Sequence, residues 1–146
     1  MNASNLRSNN TLLHKALLAN SLFCVTSGAI ALILASTVSD LIGISAVQVF
    51  LNWTGTPFFQ ALGVVLIAYG VMVYAFSRRQ LLPTIPVLII IGLDFAWVIL
   101  SWWVILSGAW GMNLTGSLIA AGLADVVLGF AIVQTWAMRR MATERG

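Results

Sequence analysis

Four apolar runs separated by short polar breaks organise this chain, at about residues 16–38, 58–76, 85–106 and 115–136. Each is near the ~20 residues that carry an α-helix across a ~30 Å hydrocarbon layer. Along each run, one stripe at helical spacing is small or polar. The first presents Asn20, Cys24, Ser27 and Ala31, and the second Gln60, Gly63, Gly70 and Tyr74. The third aligns Asp94 with Trp97 and Ser101, and the fourth aligns Ala121, Gly122, Asp125 and Gly129. Small residues let membrane helices approach closely, and polar ones bond across the contact. The pattern predicts an all-α polytopic membrane protein. Four transmembrane helices form an antiparallel bundle in one domain over 1–146, with an interior more polar than its lipid face.

The breaks between runs add detail. Residues 1–11 are polar and rich in Asn, and read as a disordered tail. Arg7 and Lys15 resemble the charged start of a signal peptide, but the following run is too long for one and no clear cleavage site follows. The stretch 39–57 is the longest loop. Ser39 and Asp40 supply helix-start chemistry, and Leu41, Ile44, Val47 or Gln48, and Leu51 recur at helical spacing. A short interfacial helix in this first outer loop is the expectation, beside the alternative of an apolar loop packed on the bundle. Ser77-Arg78-Arg79-Gln80 makes a tight turn, Pro83 and Pro86 bracket the third entry, and 107–114 is a brief loop. Such short connections place consecutive helices side by side and antiparallel. Asn52-Trp53-Thr54 and Asn113-Leu114-Thr115 fit the N-glycosylation pattern, yet both hug the membrane and read as loop residues.

Charge sets the orientation. All seven Lys and Arg residues fall in the N-terminal segment (Arg7, Lys15), between runs two and three (Arg78, Arg79), or after run four (Arg139, Arg140, Arg145). The other two loops have none. Counted over short loops, this bias places both termini in the cytoplasm, and a bacterial inner membrane is the expected location. One fixed orientation also separates the chain from small multidrug transporters, which need a weak bias to insert both ways. Trp53, Trp102, Trp103 and Trp110 near one end, with Tyr74 and Trp136 near the other, read as interfacial belts.

Composition excludes several classes. The chain is 60% hydrophobic and 8% charged, whereas a soluble domain carries about a quarter charged residues. Nucleic acid is a poor reading of seven basic residues split among three segments; the lipid bilayer is the primary partner. Cys24 is the only cysteine and His14 the only histidine, which removes intrachain disulfides, thiol redox pairs and bis-histidine haem. No metal-ligand spacing, phosphate-binding loop or nucleophile–base set stands out, so no metal, cofactor or catalytic residue is assigned.

The residues that most need explaining are Asp94 and Asp125, each well inside a run. An Asp at helix centre costs about 2.5–3.5 kcal/mol on insertion scales, and such residues face the bundle interior, find partners, or act. At 1.5 Å per residue, Asp94 lies roughly 14 Å and Asp125 roughly 18 Å from the cytoplasmic side. The expectation is one polar layer holding both carboxyls, with Tyr69, Cys24 and Ser27 at that depth and Asn20 nearer the cytoplasm. Either the acids form a proton-sharing pair, or Asp94 is held by Tyr69, Ser or backbone groups and sets helix register.

The segments Leu17-Leu18-Ala19-Asn20, Ser27-Gly28 and Asp94-Phe95-Ala96-Trp97-Val98, with the four-span layout, resemble small bacterial DoxX-like membrane proteins. That resemblance covers most of the chain and implies a four-helix membrane fold; it transfers no functional residue. Three function classes remain. The first is an accessory or structural membrane protein that associates with itself or a larger complex through small-residue faces. The second is a small proton-coupled carrier or channel built on Asp94 and Asp125. The third is an enzyme or binder of a lipid-soluble molecule such as a quinone, with Tyr69, Trp97 and the carboxyls lining its site.

Overall fold

A computed structural model describes residues 3–44, 46–47, 49, 53–79 and 84–143, with side chains between 11 and 140. Among these residues the protein is all-α: α1 (Ala3–Ile33), α2 (Ala35–Ile42), α3 (Gly55–Ser77), α4 (Thr84–Ser107) and α5 (Leu114–Thr143). Four segments are long and apolar enough to span a bilayer, Thr11–Ile33, Gly55–Ser77, Thr84–Ser107 and Leu114–Arg140. Large aliphatic side chains stand outward along them, Ile33, Ile85 and Leu106 more than two-thirds exposed. Such a surface belongs in hydrocarbon. This is a multi-pass membrane protein.

Several boundaries differ from the sequence reading. The polar N-terminal stretch is helical from Ala3 rather than disordered. It holds neither Pro nor Gly, and extending an existing helix fixes one residue per hydrogen bond gained without a new nucleus. Pro57 lies within the first turn of α3, not before it, where its missing N–H has no intrahelical partner to lose. At the other end, α5 continues past Trp136 to Thr143, because basic residues end an apolar run without ending a helix.

The short helix in the first loop exists but sits earlier than expected. The chain bends at Leu34 and α2 follows at once; Ser39 lies inside it, and Gly43, in the left-handed conformation, ends it. Gln48, Leu51 and Asn52 lie outside the described residues. Buried Ala35, Ser39 and Ile42 turn α2 onto the bundle, so the helix packs on protein rather than only on the interface. Asn113 locks its far end. The Asn113 backbone N–H donates to Ile42 O at 3.1 Å, and its Nδ2 donates to Leu41 O at 2.9 Å. Its Oδ1 accepts from the Gly116 N–H at 2.7 Å, capping the start of α5. One asparagine thus serves two helix termini, and its amide nitrogen is engaged within the protein.

Around the bundle, α1 packs most closely on α3, α5 lies against α1 and α4, and α3 and α4 do not pack closely on each other. The α1–α3 contact is an antiparallel seam of small residues. A Cβ at Gly63 would lie 2.6 Å from Gly28 O, and one at Gly28 would lie 2.8 Å from Gly63 O. One heptad along, the Ser21 hydroxyl donates to Gly70 O at 2.8 Å. Near the arginine-bearing end, Leu13, Leu17, Val73, Val87, Ile90, Ile91 and Ala137 form an apolar core contributed by all four spans. His14 Nδ1 donates to Ser77 O there at 2.8 Å, satisfying a carbonyl at the end of α3. Arg140 stacks 3.9 Å above the Trp136 ring centroid, as expected of an interfacial pair.

The seam yields a contrast between glycines. The atoms a Cβ would strike at Gly63 include backbone, which cannot swing away, whereas nothing lies within 4 Å of one at Gly129. Gly63→Ala should lower stability by about 1–3 kcal/mol through overpacking, and Gly129→Ala should raise it by up to ~1 kcal/mol through helix propensity. Thermal unfolding of the detergent-solubilised variants checks the opposite signs.

Candidate functional site

Each spanning helix places one polar side chain at the same buried point. Asp94, on α4, is 3% exposed, and Asn20 on α1 and Gln134 on α5 are both fully buried. Asn20 Nδ2 donates to Asp94 Oδ2 at 2.7 Å. The Tyr69 hydroxyl on α3 donates to Asp94 Oδ1 at 2.8 Å, with Ile90 O a second acceptor at 3.3 Å. Gln134 Nε2 reaches Asp94 Oδ2 at 3.4 Å, the longest contact of the set. The Cys24 thiol donates weakly to Asn20 Oδ1 at 3.5 Å, from one turn along α1. The carboxyl is therefore met by three neutral donors from three other helices.

Local sequence explains how each donor arrives. On α1, buried Leu13, Leu17, Asn20 and Cys24 recur at i+3 and i+4, so Asn20 is the polar member of an otherwise apolar inner stripe. On α5 the corresponding stripe is Ala124, Val127, Ala131, Gln134 and Ala137, all buried. Its alanines bring the α5 backbone close enough for a Gln side chain to reach α4. Tyr69 crosses the wider α3–α4 side of the bundle, where a long side chain with a polar tip can bridge without backbone contact.

The structure joins Asn20, Tyr69 and Asp94 among the residues expected at the site. Asn20 is level with Asp94, not nearer the cytoplasm. Ser27, Trp97 and Ser101 are half-buried and stand outside this set of hydrogen bonds. Gln134 was missed. Its signal was present as the polar member of an i+3/i+4 alanine stripe, but a Gln two residues before the apparent end of the run reads as interfacial.

Asp125 does not join Asp94. Its side chain is exposed on the outer surface of α5, while its neighbours Ala124 and Val127 point inward. Asp94 is level with Gln134, nine residues from Asp125 along α5, or about 14 Å at 1.5 Å per residue. The shared polar layer fails on both face and register: Asp125 turns outward, and α5 extends seven residues past Trp136, so the end of the apolar run does not mark the depth of the helix. The packing glycines divide likewise. Gly63 and Gly70 are buried against α1, whereas Gly122 and Gly129 are exposed with nothing within 4 Å of a Cβ; Ala121 is half-buried.

No protein-family model matches this chain, and no curated protein or solved structure matches it. The chemistry of the site is therefore read from its own geometry. Gln134 Oε1 is buried without a hydrogen-bond partner among the described residues, so the cluster holds one unused acceptor beside the carboxyl. In hydrocarbon each such bond links helices that water cannot separate. Among the described residues no group of His, Cys, Asp or Glu has the grouping a metal site needs.

Asp94→Asn should leave the fold intact. With its oxygen toward Asn20 and Gln134 the new amide keeps both of those donors, and its nitrogen donates to the Tyr69 hydroxyl, which turns its own hydrogen to Ile90 O. Asp94→Leu should cost about 2 kcal/mol, from three interhelical bonds at ~0.6 kcal/mol each. Thermal unfolding of the two variants in one detergent checks the difference; an Asn variant as unstable as the Leu variant would show that the charge itself is required.

Proposed function

We propose that this membrane protein has an accessory or structural role, associating laterally with a partner through α5. The supporting observation is the outer stripe of Leu118, Gly122, Asp125, Gly129, Ile132 and Trp136. All six are exposed and follow one another at alternating spacings of four and three. That is the heptad seam a second helix packs against. Beside it, Ile119, Leu123, Val126 and Val133 are exposed and aliphatic, with half-buried Phe130 packed on Phe23 between them, as a surface meant only for lipid should be. Asp125 has no hydrogen-bond or ionic partner among the described residues. At helix centre this costs about 2.5–3.5 kcal/mol, a cost that a partner helix would remove. The open glycines on either side would let that helix approach closely.

One observation favours a second reading. The unused Gln134 Oε1 beside Asp94 suits a small-ligand or proton-linked site at the centre of the bundle. That reading rests on Asp94 alone rather than on paired carboxyls, and an activity lost in a stably folded Asp94→Asn variant would support it.

Native mass spectrometry of protein gently extracted from its own membrane tests the accessory role. A defined oligomer or co-purifying protein is expected, and it should be lost in Gly122→Leu while Leu123→Ala, on the aliphatic stripe, retains it. A monomer in both would remove the reading. The charge bias also supports cytoplasmic termini in a bacterial inner membrane. A reporter active only in the cytoplasm should work when fused after Gly146, and a periplasm-dependent one should not.

A further inference from the structure

The chemistry of Asp125 narrows what can occupy the α5 seam, if α5 is the associating face proposed above. The seam offers a notch rather than a ridge. Gly122 and Gly129 lie about one turn to either side of Asp125, and no atom lies within 4 Å of a Cβ at either. Leu118, Ile132 and Trp136, 64%, 54% and 46% exposed, continue it as aliphatic and aromatic knobs. A helix seated there would bring its own side chain against the carboxyl, cut off from water. In that setting the match of charge decides the partner more than apolar contact does, since lipid offers apolar contact everywhere.

A second copy of this chain does not provide the match. Its described basic side chains, Lys15, Arg78, Arg79, Arg139 and Arg140, stand at or just beyond the ends of the apolar spans. Arg139 is fourteen residues from Asp125 along α5, about 21 Å. Two α5 seams packed on each other in register place Asp125 against Asp125 or glycine, in either direction. The carboxyl then meets either a like charge, in a medium that screens it poorly, or a glycine that offers it no partner. We infer that the seam receives a transmembrane helix of a different protein carrying a Lys or Arg near its midpoint. The basic side chain lies in the Gly122–Gly129 notch and pairs with Asp125.

The full-length chain, reconstituted in phosphatidylcholine vesicles and fluorescently labelled, tests this against synthetic peptides. Three Leu/Ala transmembrane peptides of about 20 residues differ only at the central position, Lys, Arg or Leu, and association is read by energy transfer. The Lys and Arg peptides should bind about tenfold tighter than the Leu peptide, within the range of polar contacts between membrane helices. Asp125→Asn should reduce all three to the level of the Leu peptide, and Asp125→Glu should keep the preference. Because Asp125 is exposed and makes no hydrogen bond or ion pair among the described residues, both variants should retain wild-type unfolding temperature, which is measured alongside. Equal binding of all three peptides overturns the inference, as does a basic preference that survives in Asp125→Asn. So does a native complex of this chain alone that Gly122→Leu disrupts, although it would leave lateral association through α5 standing.

Discussion

A single carboxyl ties the four spans together. Lipid is as apolar as a protein core, so burial gives membrane helices little reason to prefer one another over hydrocarbon. Directional polar bonds and close small-residue contacts must supply that preference. Asp94 receives donors from α1, α3 and α5 at once, so rotating or sliding any one helix breaks a bond that no water replaces. The dependence is greatest on the α3–α4 side. Those helices do not pack closely on each other, and Tyr69 spans the gap to reach both Asp94 and Ile90.

Close contact does the complementary work on the opposite side. The Gly28–Gly63 approach and the Ser21–Gly70 hydrogen bond hold α1 and α3 along an antiparallel seam, leaving α1 free to present Asn20 toward α4. At the end away from the arginines, Asn113 joins α2 to the start of α5 through three hydrogen bonds. The bundle is thus fastened by a polar point, a small-residue seam and a capped loop, none of which needs a large apolar core.

The two intramembrane aspartates have opposite environments. Asp94 is enclosed by amides and a phenol; Asp125 faces outward between open glycines. The glycines follow the same division, with Gly63 and Gly70 used inside and Gly122 and Gly129 left outside. The second set takes no part in the contacts within the bundle. Its place on a heptad stripe is the physical basis for the proposed association through α5.

Much of this was legible in the sequence. Run length and apolarity defined four spans, because the bilayer sets the length of a helix that must satisfy its own backbone. The rarity of polar groups within those runs marked Asn20, Tyr69, Asp94 and Asp125 as residues with a role. Periodicity also grouped each with its neighbours on one face. It could not say which way that face turned. In a soluble helix the polar face meets water and the apolar face meets the core, so pattern alone gives rotation. In a membrane helix both surroundings are apolar, and a small or polar stripe suits the bundle interior and an external partner equally well. Tertiary packing decided that α4 turns Asp94 inward and α5 turns Asp125 outward. It also set the longitudinal register that brought Gln134, rather than a second carboxyl, level with Asp94.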